Sequence, residues 1–137
     1  MQQKLKTLKI IHLAICSGVL LAYVILGQIT SLDALKLPTI DNDAIIYLII
    51  PFAAFSVSNL LFKMQLKNAN PKLTLEENLP VYQTASIIRW VILEGAALVL
   101  LILKKEFILF GILLILYLIT IHPTEDRIKR DLNKSTS

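Results

Sequence analysis

The chain alternates long apolar stretches with short polar segments, and four of the apolar stretches are candidates for membrane-spanning helices. A helix needs about 20 apolar residues to cross roughly 30 Å of hydrocarbon. The fourth stretch reaches only about 22 Å at 1.5 Å per residue, so its helix is expected to begin inside the turn at 104–106 or to thin the bilayer. The sequence therefore predicts an all-α integral membrane bundle of four transmembrane helices at residues 10–30, 44–62, 84–103 and 107–121.

Composition agrees with a lipid environment. Of the 137 residues, 55% are hydrophobic, and the mean hydropathy is +0.68. A soluble domain of this size needs more polar side chains to cover its surface. The segments between the apolar stretches are too short to bury cores of their own, so residues 1–137 are predicted to form a single transmembrane domain.

Basic residues gather at alternate ends of the predicted spans. They precede the first span, follow the second and follow the fourth, whereas the loop at 31–43 is acidic on balance. Because basic loops stay on the cytoplasmic side, both termini are predicted to be cytoplasmic, with Lys104 and Lys105 as the residues that do not fit. The net charge of +4 is thus explained by topology. The basic residues form no stripe with interleaved aromatic residues, so a nucleic-acid partner is not expected.

Two polar segments carry local helix signals. Asn70 and Pro71 predict a turn, and Thr74 with Glu77 fits a capping box for a short interfacial helix. Residues 124–134 have the pattern of a short amphipathic helix, which we expect either to lie on the inner membrane surface or a partner, or to form a solvated cap. Its i,i+4 charge pairs are Glu125–Lys129 and Asp126–Arg130, and its apolar face consists of Ile128 and Leu132.

The most informative residue is Glu94, which lies near the middle of the third span. A charge at the bilayer centre costs about 3 kcal/mol on insertion scales, so such acids usually face a partner, a cavity or a proton path. Without a nearby cation, Glu94 is expected to be protonated at neutral pH. Two interpretations remain open: one interhelical hydrogen bond that fixes helix register, or a proton or cation site.

Arg89 is expected to reach the headgroups with its long side chain, since it lies near the inner end of the same span. Its spacing from Glu94 disfavours an ion pair along the helix, because only residues three or four apart face each other. Glu94 therefore needs a partner on another helix. His12 is expected to be a solvated residue at the membrane edge, and Cys16 a small packing residue. The candidate partners are His12, Cys16, Ser17, Asn59 and the region of Pro51.

Small residues indicate where helices approach closely. In the first span Ala14, Gly18 and Ala22 recur every four residues, a spacing that lets two backbones pack in lipid, so this face is expected to be buried. Gly95 and Ala97 are the corresponding candidates in the third span. The fourth span, with Gly111 as its small residue, is expected to face lipid.

A weak internal repeat aligns the first and third spans at an offset of 77 residues, which places His12 level with Arg89 and Ser17 level with Glu94. If it reflects a duplication, the spans would form two parallel helical hairpins.

The segment YQTASIIRWVILEGAALVLLIL at 82–103 resembles an uncharacterised family of small four-span bacterial membrane proteins, and the tail HPTEDRIKRDL is similar to theirs. This resemblance implies the bacterial inner membrane but no activity. The Glu94-Gly95 core is also faintly similar to the carboxylate helix of rotary ATP synthase c subunits. The glycine-rich stripe of their first helix is missing here, and two additional spans flank the hairpin.

No residue constellation specifies a reaction. No nucleophile with an adjacent base can be placed at a shared depth, no Cys and His cluster has metal-ligand spacing, and no cofactor is indicated. We therefore expect a non-enzymatic polytopic membrane protein, a structural or accessory component of a homo-oligomer or of a complex with other membrane protein subunits. The alternative is a proton- or cation-translocating or small-solute transport protein that uses Glu94.

Overall fold

The computed structural model describes residues 2–27, 42, 44–103 and 107–136, and the regular structure within them is helical throughout. Three helices are long and apolar enough to cross a membrane, and a fourth span results if the last two helices, bent by 94°, are counted as one. The expectation of an all-helical membrane protein is confirmed at this level. The helices are α1 (Gln2–Gly27), α2 (Ile45–Leu66), α3 (Leu75–Leu103), α4 (Ile108–Thr120) and α5 (Glu125–Thr136).

Helix boundaries differ from the predicted ones mainly at the N-terminal ends. The helix α1 begins at Gln2, well before the apolar stretch. The capping box is confirmed: the Thr74 backbone N–H donates to Glu77 Oε2 at 2.8 Å, and the Glu77 N–H donates to Thr74 Oγ1 at 3.2 Å. It caps the long helix α3 itself and not a separate interfacial helix. The turn at 104–106 and most of the loop at 31–43 lie outside the described residues.

The helix α3 is the centre of the bundle and packs against α1, α2 and α4. His12 of α1 contacts Trp90 of α3, and Tyr23 further along α1 contacts Ala97, so α1 and α3 run in the same direction. His12 also contacts Leu118 near the end of α4, and Tyr23 contacts Gly111 near its start, so α4 runs in the opposite direction. Helices α1 and α2 hardly touch. The expected first hairpin is thus not formed, although α1 and α3 do lie at matching depths.

The helix α4 does not simply face lipid, contrary to the expectation from its composition. One side of it is buried against α3 and α1, while Leu113 and Leu116 point outward. In lipid the exposed and the packed faces of a helix are both apolar, so composition could not distinguish them. The buried residues of α4 are Ile108, Gly111, Leu114, Ile115 and Leu118.

The helix α5 closes one end of the bundle. The side chains of Ile128 and Leu132 are 0% and 5% exposed, and α5 packs against α2 and α3. Its apolar face is therefore docked on its own chain and is not available to a membrane surface or a partner. The predicted ion pair between Lys129 Nζ and Glu125 Oε1 is confirmed at 3.2 Å. No ion pair joins Asp126 to Arg130 within the described part of the chain.

Candidate functional site

Glu94 lies on α3 beside Gly18 of α1, where the neighbouring helix carries no side chain. Its side chain is partly buried, and a Cβ atom added to Gly18 would lie 3.9 Å from Glu94 Oε1. Ser17 and Gly18 are themselves exposed. Among the described residues, no hydrogen bond or ion pair holds the Glu94 carboxyl group. The acid therefore borders an open face of small residues and has no partner within the described chain.

The predicted partners of Glu94 are occupied elsewhere or exposed. Asn59 Nδ2 donates to the carbonyl of Phe55 at 2.8 Å, and Asn59 Oδ1 accepts a hydrogen bond from Tyr117 at 2.9 Å. Cys16 lies within electrostatic reach of Glu94 but places its sulfur against the ring of His12. The expectation that another helix of the same chain supplies a partner is therefore not met by these residues.

His12 is buried in the bundle, and the expectation of a solvated histidine at the membrane edge is wrong. The side chain is 3% exposed, and its Nε2 atom lies 2.8 Å from the carbonyl oxygen of Leu118. A carbonyl oxygen can only accept, so Nε2 carries a proton, and in the neutral ring Nδ1 is then the acceptor. His122 Nδ1 lies 3.2 Å from this acceptor and donates to it. The burial arises because α1 begins before the apolar stretch and α4 ends beside it.

This hydrogen bond caps the C-terminal end of α4. The last carbonyl groups of a helix lack partners within the helix. Here His12 donates to the carbonyl of Leu118, and Arg127 Nη2 donates to the carbonyl of Thr120 at 3.1 Å. Side chains from α1 and α5 thus hold the end of the short helix α4 in place.

Arg89 is also buried, so it does not reach the headgroups as expected. Its side chain is 5% exposed, and its guanidinium carbon lies 3.6 Å from the centre of the Phe62 ring. The Nε and Nη2 atoms have no hydrogen-bond partner among the described residues. A nearby carboxylate, that of Asp131 on α5, accepts a hydrogen bond at 3.0 Å from Tyr82. Arg89 forms no ion pair with Glu94 within the described chain, as its spacing predicts.

The predicted packing residues divide between the interior and the surface. Ala97 is buried, and its carbonyl accepts a hydrogen bond from Tyr23. Gly95 is partly buried, and an added Cβ would meet nothing within 4 Å. Ala14 and Gly18 are exposed and Ala22 is partly buried, so the expected burial of this face is not met within a single chain. The face of α1 that packs consists of Leu5, Leu8, His12, Cys16, Val19 and Tyr23.

Three side chains in these networks were not singled out from the sequence. Tyr23 joins α1 to α3, Tyr117 joins α4 to α2 through Asn59, and His122 contacts His12. Buried tyrosine hydroxyl groups usually find a hydrogen-bond partner, so the two tyrosines within apolar stretches were the available signal.

Within the described residues, no group of three or more His, Cys, Asp or Glu side chains is placed to hold a metal ion. The geometry provides a buried histidine, His12, in contact with the exposed His122, together with a buried guanidinium and a carboxyl group beside an exposed face of small residues. This fold and these sites are compatible with a multi-pass helical membrane protein. Comparison of the chain with protein-family models, with curated proteins and with solved structures finds no match.

Proposed function

We propose that this chain is a small non-enzymatic membrane protein that acts as a structural or accessory component of a homo-oligomer or of a larger membrane complex. The observation that carries this proposal is the position of Glu94. Its carboxyl group has no partner in the described chain and lies beside Gly18, on a face where Ala14 and Ser17 are exposed.

An isolated protomer would leave this acid beside lipid. A carboxyl group at membrane depth is costly, and the cost is relieved when another helix supplies a hydrogen-bond partner. Small residues four apart, such as Ala14 and Gly18, allow a second backbone to approach closely. The acid and the small residues therefore favour the same event, the docking of a further transmembrane helix against α1 and α3.

The proposed topology has four spans with both termini in the cytoplasm of a bacterium. Its support is the clustering of basic residues at one end of the bundle. Lys9 interacts electrostatically with His122 between α4 and α5. Lys63 lies near the C-terminal end of α2, next to Phe62. The Phe62 ring packs on Tyr82, and Tyr82 donates a hydrogen bond to Asp131 of α5, so Lys63 is at the same end of the bundle as α5. Basic flanks on one side are typical of the cytoplasmic face.

Purification from native membranes in mild detergent tests the proposal, with particle mass and co-purifying proteins measured together. We expect a homo-oligomer or a stoichiometric foreign subunit. Ala14→Leu should reduce this assembly because it fills the small-residue face. Ala53→Leu makes the same change on an exposed face of α2 and should leave assembly intact. A lone protomer as the only species, or equal effects of the two substitutions, would contradict the proposal.

Glu94→Gln separates the two interpretations of the acid. Glutamine keeps a hydrogen-bonding group but cannot titrate, so a packing role predicts near-normal assembly and function. An ion-translocating role predicts loss of proton or cation flux in proteoliposomes while the particle mass stays unchanged.

A further inference from the structure

A groove lies between the N-terminal end of α1 and the first turn of α5. It has a volume of about 660 Å³. Its described lining consists of two lysines, two glutamines, a leucine and a glutamate: Lys6, Lys9, Gln2, Gln3, Leu5 and Glu125. The groove is therefore rich in hydrogen-bond donors, and its position is the same end of the bundle at which α5 closes the core.

Two of the cations that line this groove have no ion-pair partner within the described chain. Lys6 and Lys9 form no ion pair with a described carboxylate. Glu125, the one acidic residue in the described lining, has its Oε1 atom 3.2 Å from Lys129 Nζ and is thereby paired. Such an excess of cations beside a cavity attracts an anion.

Further cations lie behind the groove. Lys9 and Arg127 both act electrostatically on His122, and Arg127 also interacts with the buried guanidinium of Arg89. Two donors of Arg89 have no hydrogen-bond partner in the described residues. Asp131 on α5 also acts on Arg89 and offsets part of this charge, so the cations of the groove itself are Lys6 and Lys9.

An apolar path continues from the groove along α1. Ile10 is 56% exposed and Leu13 is 63% exposed. Lys6 and Ile10 are four residues apart, as are Lys9 and Leu13, so each lysine shares a helix face with an exposed apolar side chain one turn deeper. This arrangement fits an anionic amphiphile better than a free anion. The anionic head would bind the lysines, and the apolar chains would lie along the helix.

We propose that the groove formed by Gln2, Gln3, Lys6 and Lys9, beside α5, binds the phosphate headgroup of an anionic phospholipid. The ammonium groups would contact the phosphate oxygens, and the acyl chains would lie against Ile10 and Leu13. Basic pockets beside transmembrane helices at the cytoplasmic surface bind such headgroups in this way. The lysines lie at the N-terminal end of α1, five or more residues before Ala14, so the headgroup contacts do not depend on the proposed assembly, although Ile10 shares a helix face with Ala14.

The test is lipid binding by the full chain, delipidated in mild detergent and followed by native mass spectrometry with phosphatidylglycerol or phosphatidylcholine added. We expect preferential binding of phosphatidylglycerol. Lys6→Gln combined with Lys9→Gln should weaken it about 30-fold, since each lysine near a membrane surface contributes roughly five- to sixfold. Lys63→Gln combined with Lys67→Gln removes the same charge from exposed positions on α2 and the α2–α3 turn, and should change binding much less.

Three results would overturn the assignment. Equal losses in the two double variants would show a diffuse surface effect. Equal binding of the two lipids would exclude recognition of the anionic headgroup. Inorganic phosphate that displaces the lipid completely at millimolar concentration would indicate a site for the free anion. Far-ultraviolet circular dichroism of each variant, unchanged from that of the parent, ensures that the comparison is made between folded proteins.

Discussion

The side chain of Tyr23 fills the space in front of Gly111. A Cβ atom added to Gly111 would overlap the Tyr23 hydroxyl oxygen and would lie 2.7 Å from the ring carbon that bears it. The same hydroxyl donates a hydrogen bond to the carbonyl of Ala97 on α3. Helices α1, α3 and α4 therefore meet at one point, and the absence of a side chain at position 111 lets them do so.

Gly111→Ala is expected to destabilise the protein. The added methyl group must displace a buried ring and break its hydrogen bond, and overpacking of this kind typically costs about 1–3 kcal/mol. Thermal unfolding in mild detergent, followed by circular dichroism, should show a lower midpoint. Gly95→Ala is the matched control, because nothing lies within 4 Å of its added Cβ and alanine favours helix. Equal midpoints for the two variants would contradict the prediction.

His12→Leu is expected to be more damaging than His12→Gln. Leucine leaves the Leu118 carbonyl without its donor at the end of α4, and an unsatisfied buried group costs about 1–3 kcal/mol. The amide nitrogen of glutamine can replace the Nε2 donor. The free energy of unfolding in detergent should therefore fall further for leucine than for glutamine. The reverse order would show that His12 contributes by apolar packing against Trp90 and not by its hydrogen bond.

Docking of α5 depends on Ile128. Its side chain is fully buried, and removal of such a group by alanine costs about 2–5 kcal/mol. Ile128→Ala should therefore release α5, so that the backbone around Arg127, Lys129 and Arg130 unfolds locally and becomes a substrate for trypsin, which a time course of cleavage measures. Asp126→Ala, at an exposed position on the same helix, should leave the cleavage rate close to that of the parent. Similar acceleration in both variants would mean that α5 is held by something other than its apolar face.

The apolar stretches and local signals of the sequence predicted much of the secondary structure. The three long helices follow from apolar length, and the capping box at Thr74 and Glu77 was correct in its hydrogen bonds. Helix ends were less accurate, because α1 and α3 continue beyond the apolar segments into polar sequence. Hydropathy reports the thickness of the hydrocarbon layer and not the length of the helix.

The faces that pack were poorly predicted, for a physical reason. In lipid a buried side and an exposed side are equally apolar, so the pattern of Leu and Ile does not locate the core. Small residues on α1 pointed to Ala14 and Gly18, whereas Leu8 and Val19 are the fully buried positions. The burial of His12 and Arg89 depends on α4 and α5 closing over them, which is a long-range contact that no local pattern encodes.

Acid is expected to destabilise the protein in part through His122. Although the ring is largely exposed, partial burial, with the nearby charges of Lys9 and Arg127, lowers the pKa of His122 below the ordinary 6.5. The unfolded chain then binds a proton more readily than the native protein does. The contribution of the neutral ring to stability is therefore present above pH 6.5 and is lost as the pH falls through the lower native value. Unfolding midpoints measured across this range, in detergent free of anionic lipid, should fall less steeply for His122→Gln than for the parent. His12 is retained in both proteins, so the difference reports His122 together with its contact with His12. An equally steep or steeper fall in the variant would contradict the prediction.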